Sequence, residues 1–235
     1  MGCLSVSFPN LEIAFPKEDK CNEWQLAIAG GRVPSVSLVK KLAVEKHVFC
    51  ADKGIDIALK AGVLTKLLLG DGDSAVAEEY QKAMEQGTKV IRYPREKDAT
   101  DLQLLLENLE NKHLCITGVW GGRFDHLYSN CYSLLKWSRE TGKKIVMVDD
   151  KEIMVFLKSE DDVAIRLVDD IRPKAISLLN FSNDAVVDLQ GVYWSLDKAH
   201  LNYLQPYAIS NEAVENKLFC HCYSGEIGLY ICWKE

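Results

Sequence analysis

Along the first 150 residues, short apolar runs end one after another in turns rich in Asp and Gly, and a helical stretch follows each turn. Val48-Phe49-Cys50-Ala51 runs into Asp52-Lys53-Gly54, and Lys66-Leu67-Leu68-Leu69 runs into Gly70-Asp71-Gly72-Asp73-Ser74. Tyr93-Pro94 precedes Lys97-Asp98-Ala99-Thr100-Asp101, and His113-Leu114-Cys115-Ile116-Thr117 opens into the segment from Gly118 to His126. Such alternation is the pattern of a parallel sheet covered by helices. In an open sheet of this kind the loops at the carboxyl ends of the strands take the ligand. Loading those loops with Asp, Gly and one Arg points to a divalent metal that holds a polyphosphate.

The predicted strands are 25–29, 48–51, 66–69, 89–93, 114–117 and 144–148, and the predicted helices are 35–46, 54–61, 76–86, 101–110 and 126–141. After Asp150 the texture changes. The runs 153–157, 163–167, 175–179, 185–189 and 228–232 are β-rich and separated by Pro, Gly, Asn and Asp, with no long helix among them. The expected fold is therefore α/β. An N-terminal parallel-sheet, Rossmann-like catalytic domain over residues 24–149 is followed by a small all-β sandwich over residues 150–235. Residues 1–23, with Pro9 and Pro16, read as an irregular leader of no assigned role.

At 235 residues and 48% hydrophobic content, the chain can bury one large core or two modest ones. Its net charge of −6, with Lys and Arg spread through the chain, argues against nucleic acid as a partner. The Asp residues on the loops would repel a bare nucleotide triphosphate. Magnesium removes that conflict, because it prefers carboxylate oxygens and bridges protein to phosphate. Met1 to Pro9 carries no charged n-region and no long apolar run, so neither a signal peptide nor a membrane span is expected. Eight Cys in a chain this long do not make a dense disulfide framework, and a reducing cytoplasm fits best.

Each loop has a plain structural explanation beside the functional one. Gly30-Gly31 lets backbone amides approach a ligand, but a strand-to-helix turn calls for Gly anyway. Asp71 and Asp73, two apart in a Gly-rich turn, can point at one ion, with Ser74 free to cap the next helix. Thr100 or Asp98 could cap the helix that starts at Asp101, yet two carboxylates exceed what capping requires. Between Gly118 and His126, Gly121 and Gly122 give an open loop, and Arg123 offers a planar fork suited to phosphate oxygens. Asp125 and His126 open the following helix, where His126 serves either a ligand or a neighbouring loop. Cys220-His221-Cys222 places two thiols on one face of a strand, but no second Cys pair completes the four ligands that zinc needs.

Taken in order, these turns resemble the thiamine pyrophosphokinase family. Its Ala-Asp-x-Gly turn corresponds to residues 51–54 and its Gly-Asp-x-Asp-Ser turn to residues 70–74. Its Asp-x-Thr-Asp helix start corresponds to residues 98–101 and its Gly-Gly-Arg-x-Asp-His loop to residues 121–126. A Gly-x-x-Trp stretch and a Ser-Asn turn match residues 191–194 and 210–211, so the likeness runs from about Gln25 to the C-terminus. Two positions depart from the pattern: Gly72 stands where Phe is frequent, and Lys53 where Gly is frequent. Lys53 either adds a charge toward phosphate or points into water.

The resemblance implies magnesium-dependent transfer of the β,γ-diphosphate of ATP to the hydroxyethyl group of thiamine, releasing AMP. It implies that Asp71, Asp73 and Asp101 hold magnesium against the phosphates with Asp52 close by, and that Asp98 supports the cluster or polarises the attacking hydroxyl. Gly30, Gly31, Gly121, Gly122, Arg123, Asp125 and His126 would attend the nucleotide. Trp194, Ser210 and Asn211 would line the thiamine side, although Trp194 could equally be core packing. A homodimer with the thiamine pocket at the subunit interface is also implied. Two other functions fit the same turns: a diphosphokinase for another alcohol such as a hydroxymethyl-pterin, and a nucleotide or thiamine sensor without turnover.

Overall fold

The computed structural model describes residues 4–16, 21–70, 77–94, 96, 98–168 and 171–233. The chain divides into two units, one of residues 23–150 and one that joins residues 1–22 to residues 151–235. The first two strands are β1 (Leu4–Ser7) and β2 (Leu11–Phe15). Strand and helix then alternate: β3 (Trp24–Ile28), α1 (Val36–Ala43), β4 (Val48–Ala51), α2 (Gly54–Lys60), β5 (Leu67–Gly70) and α3 (Ala77–Glu85). The same rhythm continues through β6 (Lys89–Arg92), α4 (Asp101–Glu107), β7 (His113–Thr117), α5 (Phe124–Thr141) and β8 (Ile145–Val148). The rest of the described chain is β9 (Glu152–Lys158), β10 (Asp161–Leu167), β11 (Ala175–Asn180), β12 (Asp184–Gln190), β13 (Leu196–Asn202), β14 (Lys217–Ser224) and β15 (Glu226–Cys232).

Within residues 23–150 six strands pair in parallel, in the order β8-β7-β3-β4-β5-β6. Every residue of β3, β4, β5, β7 and β8 is buried, so these strands read as mainly apolar runs, with Gln25 in β3 and His113 and Thr117 in β7 as buried polar residues. Only β6, with Lys89 and Arg92 exposed, carries the signature of an edge. Helices bury a narrow stripe each, Leu38, Val39 and Leu42 in α1 and Leu102, Leu105 and Leu106 in α4. From β3 the chain works outward through β4 and β5 to β6, then crosses to place β7 and β8 on the other side of β3. That reversal leaves a crevice at the carboxyl ends of β3, β4 and β7.

The opposite, amino edge of this sheet is braced by polar contacts. Gln25, fully buried, donates to the carbonyls of Glu110 (2.8 Å) and Lys112 (3.0 Å) and accepts from the Glu110 N–H (3.0 Å). The Glu110 carboxylate meets His47 (2.9 Å), Lys112 (2.9 Å) and Lys66. Burial works to raise its pKa, but the hydrogen bonds from Lys66, Lys112 and His47 hold it down at about 2.

In the other unit β1, β2, β10, β14, β12 and β13 form one antiparallel series, and β11, β15 and β9 form another. The irregular leader expected over residues 1–23 is corrected here. Residues 4–15 make a β1–β2 hairpin, and β2 pairs with β10 from Ala14↔Ala164 to Leu11↔Leu167. Leu4, Val6, Leu11, Ile13 and Phe15 alternate with polar or small residues and are buried, while Pro9 falls in the turn between the strands and breaks neither. β13 carries no strand signal because it is an edge strand with one buried residue, Leu201. β14 buries Leu218, Cys220 and Cys222 on one face and turns His221 to Asp162 on the other, so packing accounts for the Cys-His-Cys run.

Candidate active site

The crevice at the strand reversal is a cleft of about 550 Å³. Three loops build its walls: Ala29–Gly31 after β3, Ala51–Lys53 after β4, and Gly118–Arg123 after β7. Thr100, Asp101 and Leu102 at the start of α4 and His126 and Asn130 of α5 complete it. The first and third loops are stitched together. The N–H groups of Ala29, Gly31 and Arg32 donate to the carbonyls of Thr117 (2.9 Å), Gly118 (2.6 Å) and Trp120 (2.7 Å). A β-carbon at Gly31 would stand 2.5 Å from the Gly118 oxygen and 2.8 Å from that of Trp120. Glycine is therefore required at Gly31 by loop-on-loop contact, and its amide goes to Gly118 and not to a ligand. Gly30, Gly121 and Gly122 line the open side of the cleft.

Asp52 holds a left-handed backbone, φ +47°, which few side chains other than Asn and Asp adopt readily. The turn begins with the Asp52 N–H donating to the Leu69 carbonyl of the neighbouring strand (2.9 Å). It sets the Asp52 carboxylate over the end of β5, where Oδ1 lies 2.7 Å from the place a Gly70 β-carbon would take. Backbone strain of this kind gathers at functional sites. Thr100 is the cap of α4: its hydroxyl accepts from the Gln103 N–H (3.2 Å), and Gln103 Oε1 accepts from the Thr100 N–H (2.9 Å). Capping thus occupies neither Asp98 nor Asp101. Asp101 lines the cleft, whereas Asp98 is exposed and not part of its lining. Asp71, Asp73 and Ser74 lie outside the described residues.

Arg123, the N-cap residue of α5, lines the cleft with its guanidinium on Asp125: Nε to Oδ1 at 3.1 Å and Nη2 to Oδ2 at 2.5 Å. Hydrogen bonding to Arg123 holds the Asp125 carboxyl below its ordinary range, and the same contact raises the Arg123 pKa. Asp125 also accepts from the His126 N–H (3.0 Å). The pair is solvent-exposed, so an incoming anion could take over the guanidinium with little penalty. Sequence reasoning missed the anchors behind this site. Arg32 pairs with Asp149 at 2.6 Å, and Asp150 accepts from the N–H of Ser35 (2.6 Å), the N-cap of α1. The signal was present, since Asp149-Asp150 ends the apolar run of β8 as the other Asp turns end theirs. Among the described residues no three His, Cys, Asp or Glu side chains gather closely enough to form a metal cage on their own.

The other unit holds its own cavity, about 440 Å³, lined by Trp194, Leu196, Tyr207, Ala208, Ile209, Ser210 and Asn211. Trp194 is 57% exposed and packs edge-on against Tyr193, with centroids 4.8 Å apart, so core packing does not explain it. Asn211 is buried, and its side chain clasps the Trp194 backbone: Nδ2 donates to the carbonyl (2.8 Å) and Oδ1 accepts the N–H (3.1 Å). Ser210, at φ +61°, donates its N–H to the Ser177 hydroxyl (3.0 Å). Asn211 therefore shapes the cavity and presents Trp194, its amide being committed to the main chain. Tyr207 and Ile209 gave no sequence signal, because their segment has no helical or strand period.

Fold and cleft together define an α/β protein with an open cleft at the carboxyl edge of a parallel sheet. The family described as thiamin pyrophosphokinase, catalytic domain, matches residues 39–147. Thiamine pyrophosphokinase of Bacillus subtilis is 31% identical over 171 residues, which span 71% of this chain and 78% of that protein. The chain belongs to the thiamine pyrophosphokinase family, a family of diphosphotransferase enzymes. The crystal structure of the B. subtilis protein superposes with a TM-score of 0.75 at 24% identity, over 91% of this chain and all of that one. That of thiamin pyrophosphokinase from Candida albicans does so with a TM-score of 0.75 at 15% identity, over 89% of each chain. At these identities the two structures speak for the shared fold. No helix among the described residues is long and apolar enough to cross a membrane.

Proposed function

We propose that the chain transfers the diphosphate of ATP to thiamine, giving thiamine diphosphate and AMP. The observation that carries this reading is convergence: residues of three separate family motifs, Asp52, Asp101 and the Gly121-Gly122-Arg123 run, meet around one cleft at the strand reversal. The Rossmann-like unit is read as the catalytic domain and the β-rich unit, as a sandwich, as the thiamine-binding one.

Magnesium suits the donor set. Asp52 and Asp101 offer hard carboxylate oxygens in the cleft, and this ion takes one or two carboxylates with phosphate and water for the remainder. When bound, it would neutralise charge on the transferring phosphates. Asp101, with Asp71 and Asp73 that follow β5 in the sequence, would hold it, Asp52 standing close and Asp98 supporting from just ahead of α4. Arg123 would exchange Asp125 for a phosphate oxygen, with His126 beside it. Gly30, Gly31, Gly121 and Gly122 would give the nucleotide an unobstructed bed. Transfer to an alcohol at phosphorus is mainly a matter of alignment and charge, so no strong protein nucleophile is needed. Trp194, held by Asn211 beside Ser210, supplies an aromatic face suited to a cationic ring. A homodimer belongs to the same reading, because Tyr193, Trp194, Tyr203, Leu204 and Tyr207 are large side chains left exposed, of the kind a second subunit covers.

The test is an assay of the purified protein with ATP, magnesium and thiamine, following AMP and thiamine diphosphate by chromatography. Equal amounts of both are expected. ADP in place of AMP would overturn diphosphoryl transfer. Absence of thiamine-dependent AMP would remove thiamine as the acceptor.

A further inference from the structure

The cleft carries four formally charged side chains besides His126: Asp52, Lys53, Asp101 and Arg123. Arg123 is already neutralised by Asp125. Lys53, by contrast, is exposed, and among the described residues no carboxylate is paired with its ammonium. Its place is fixed by the chain around it. Asp52 makes the left-handed turn, Lys53 follows in helical conformation, φ −62° and ψ −7°, and its carbonyl accepts from the Asp56 N–H (3.1 Å). This sets the first carbons of its side chain against the glycine loop, with Lys53 Cβ 3.7 Å from where a Gly30 β-carbon would stand. A flexible four-carbon stem rooted there sweeps the mouth of the cleft, and an ammonium is a compact point charge suited to a phosphate oxygen.

We propose that Lys53 is a phosphate-binding residue of this cleft, one that adds an uncommitted positive charge for the polyphosphate tail of the nucleotide. The inference rests on the ATP reading above and extends it, since Lys53 stands where the family motif frequently has Gly. The two carboxylates of the cleft favour a metal but repel phosphate, and Arg123 must first leave Asp125. Lys53 needs no such exchange. It therefore sets affinity for the polyphosphate and not for the nucleoside.

Isothermal titration of the full chain in the presence of magnesium tests this, with three probes: ATP, inorganic tripolyphosphate and adenosine. In Lys53→Met, ATP and tripolyphosphate are expected to bind about tenfold more weakly, the loss of one charge-assisted contact. Adenosine binding and the thermal melting point should match those of the parent, and Lys53→Arg should restore most of the affinity. The dependence of ATP binding on salt should also be shallower in Lys53→Met. Unchanged ATP and tripolyphosphate affinity in Lys53→Met would overturn the role of Lys53 while leaving the proposed function standing. Equal weakening for adenosine would overturn it too, by marking general damage to the cleft. Failure of the parent protein to bind either ATP or tripolyphosphate would overturn the ATP reading itself.

Discussion

Asp101 illustrates how a residue's duty is settled by its neighbour. Thr100 and Gln103 make the cap at the start of α4 between them, while Asp101 lines the cleft. Asp101→Asn is expected to lower thiamine diphosphate formation by about a hundredfold or more, as loss of a charge-organising group in a transferase does. The melting point should move far less than the activity, because Thr100 and Gln103 make the cap of α4 and the helix-dipole contribution of Asp101 is about 0.5 kcal/mol. Trp194 is a different case: exposed, yet fixed through its backbone by Asn211. Trp194→Ala should raise the KM for thiamine about tenfold with a much smaller change for ATP, measured by steady-state kinetics. Equal changes in both would make the ring a structural element. At this scale several positions that line the cleft were legible, because Asp52, Asp101 and Arg123 at strand ends and helix starts stand out among apolar runs. What sequence could not supply was partnership. That Arg123 rests on Asp125, or that Gly31 spends its amide on Gly118, depends on contacts across loops far apart in the chain.

Strands and helices of the parallel unit were legible for a simple reason: a strand covered on both faces is mainly apolar, and a turn must follow it. Not every element at an edge was. β13 buries a single residue and leaves no period to read, and the β1–β2 hairpin was obscured by its prolines. Two elements carry quantitative expectations. Thr100→Ala removes the hydroxyl half of the α4 cap and should cost about 1 kcal/mol, a shift of roughly 2–4 °C in melting temperature. Because Thr100 itself lines the cleft, the same variant should also weaken nucleotide binding. At the amino edge, Glu110 has a folded pKa of about 2 against 4.5 for the free side chain. A depressed carboxyl pKa contributes stability that is full above about pH 4.5 and is lost as pH falls toward 2. Glu110→Gln should therefore be less stable than the parent at neutral pH by about 1–2 kcal/mol, with the gap closing as the solution is acidified across that window. Urea titrations at a series of pH values would display the convergence.

For the whole molecule, the informative fact is that one unit is contiguous and the other is not. Residues 23–150 are interposed between the β1–β2 hairpin and the strands it joins. Leu11, Ile13 and Phe15 are buried in that second unit, and side chains of this size contribute roughly 1.5–3 kcal/mol each when buried. Deleting residues 1–22 should accordingly leave one edge of β10 unpaired, raise binding of a hydrophobic dye and lower the melting temperature of the β-rich unit, as followed by circular dichroism and dye fluorescence. A deletion variant with unchanged dye binding and melting would mean that the hairpin is dispensable. The interposition also has a consequence for how the protein is made. Leu11 leaves the ribosome 156 residues before its partner Leu167, an interval of roughly 8–30 seconds at ordinary rates of translation. During that interval the β1–β2 hairpin lacks the β10 edge it joins in the folded protein, while the whole parallel unit is completed behind it. Newborn chains should thus present a sticky N-terminal ribbon to the cell's chaperones, and a pause in translation before β10 would lengthen that exposure.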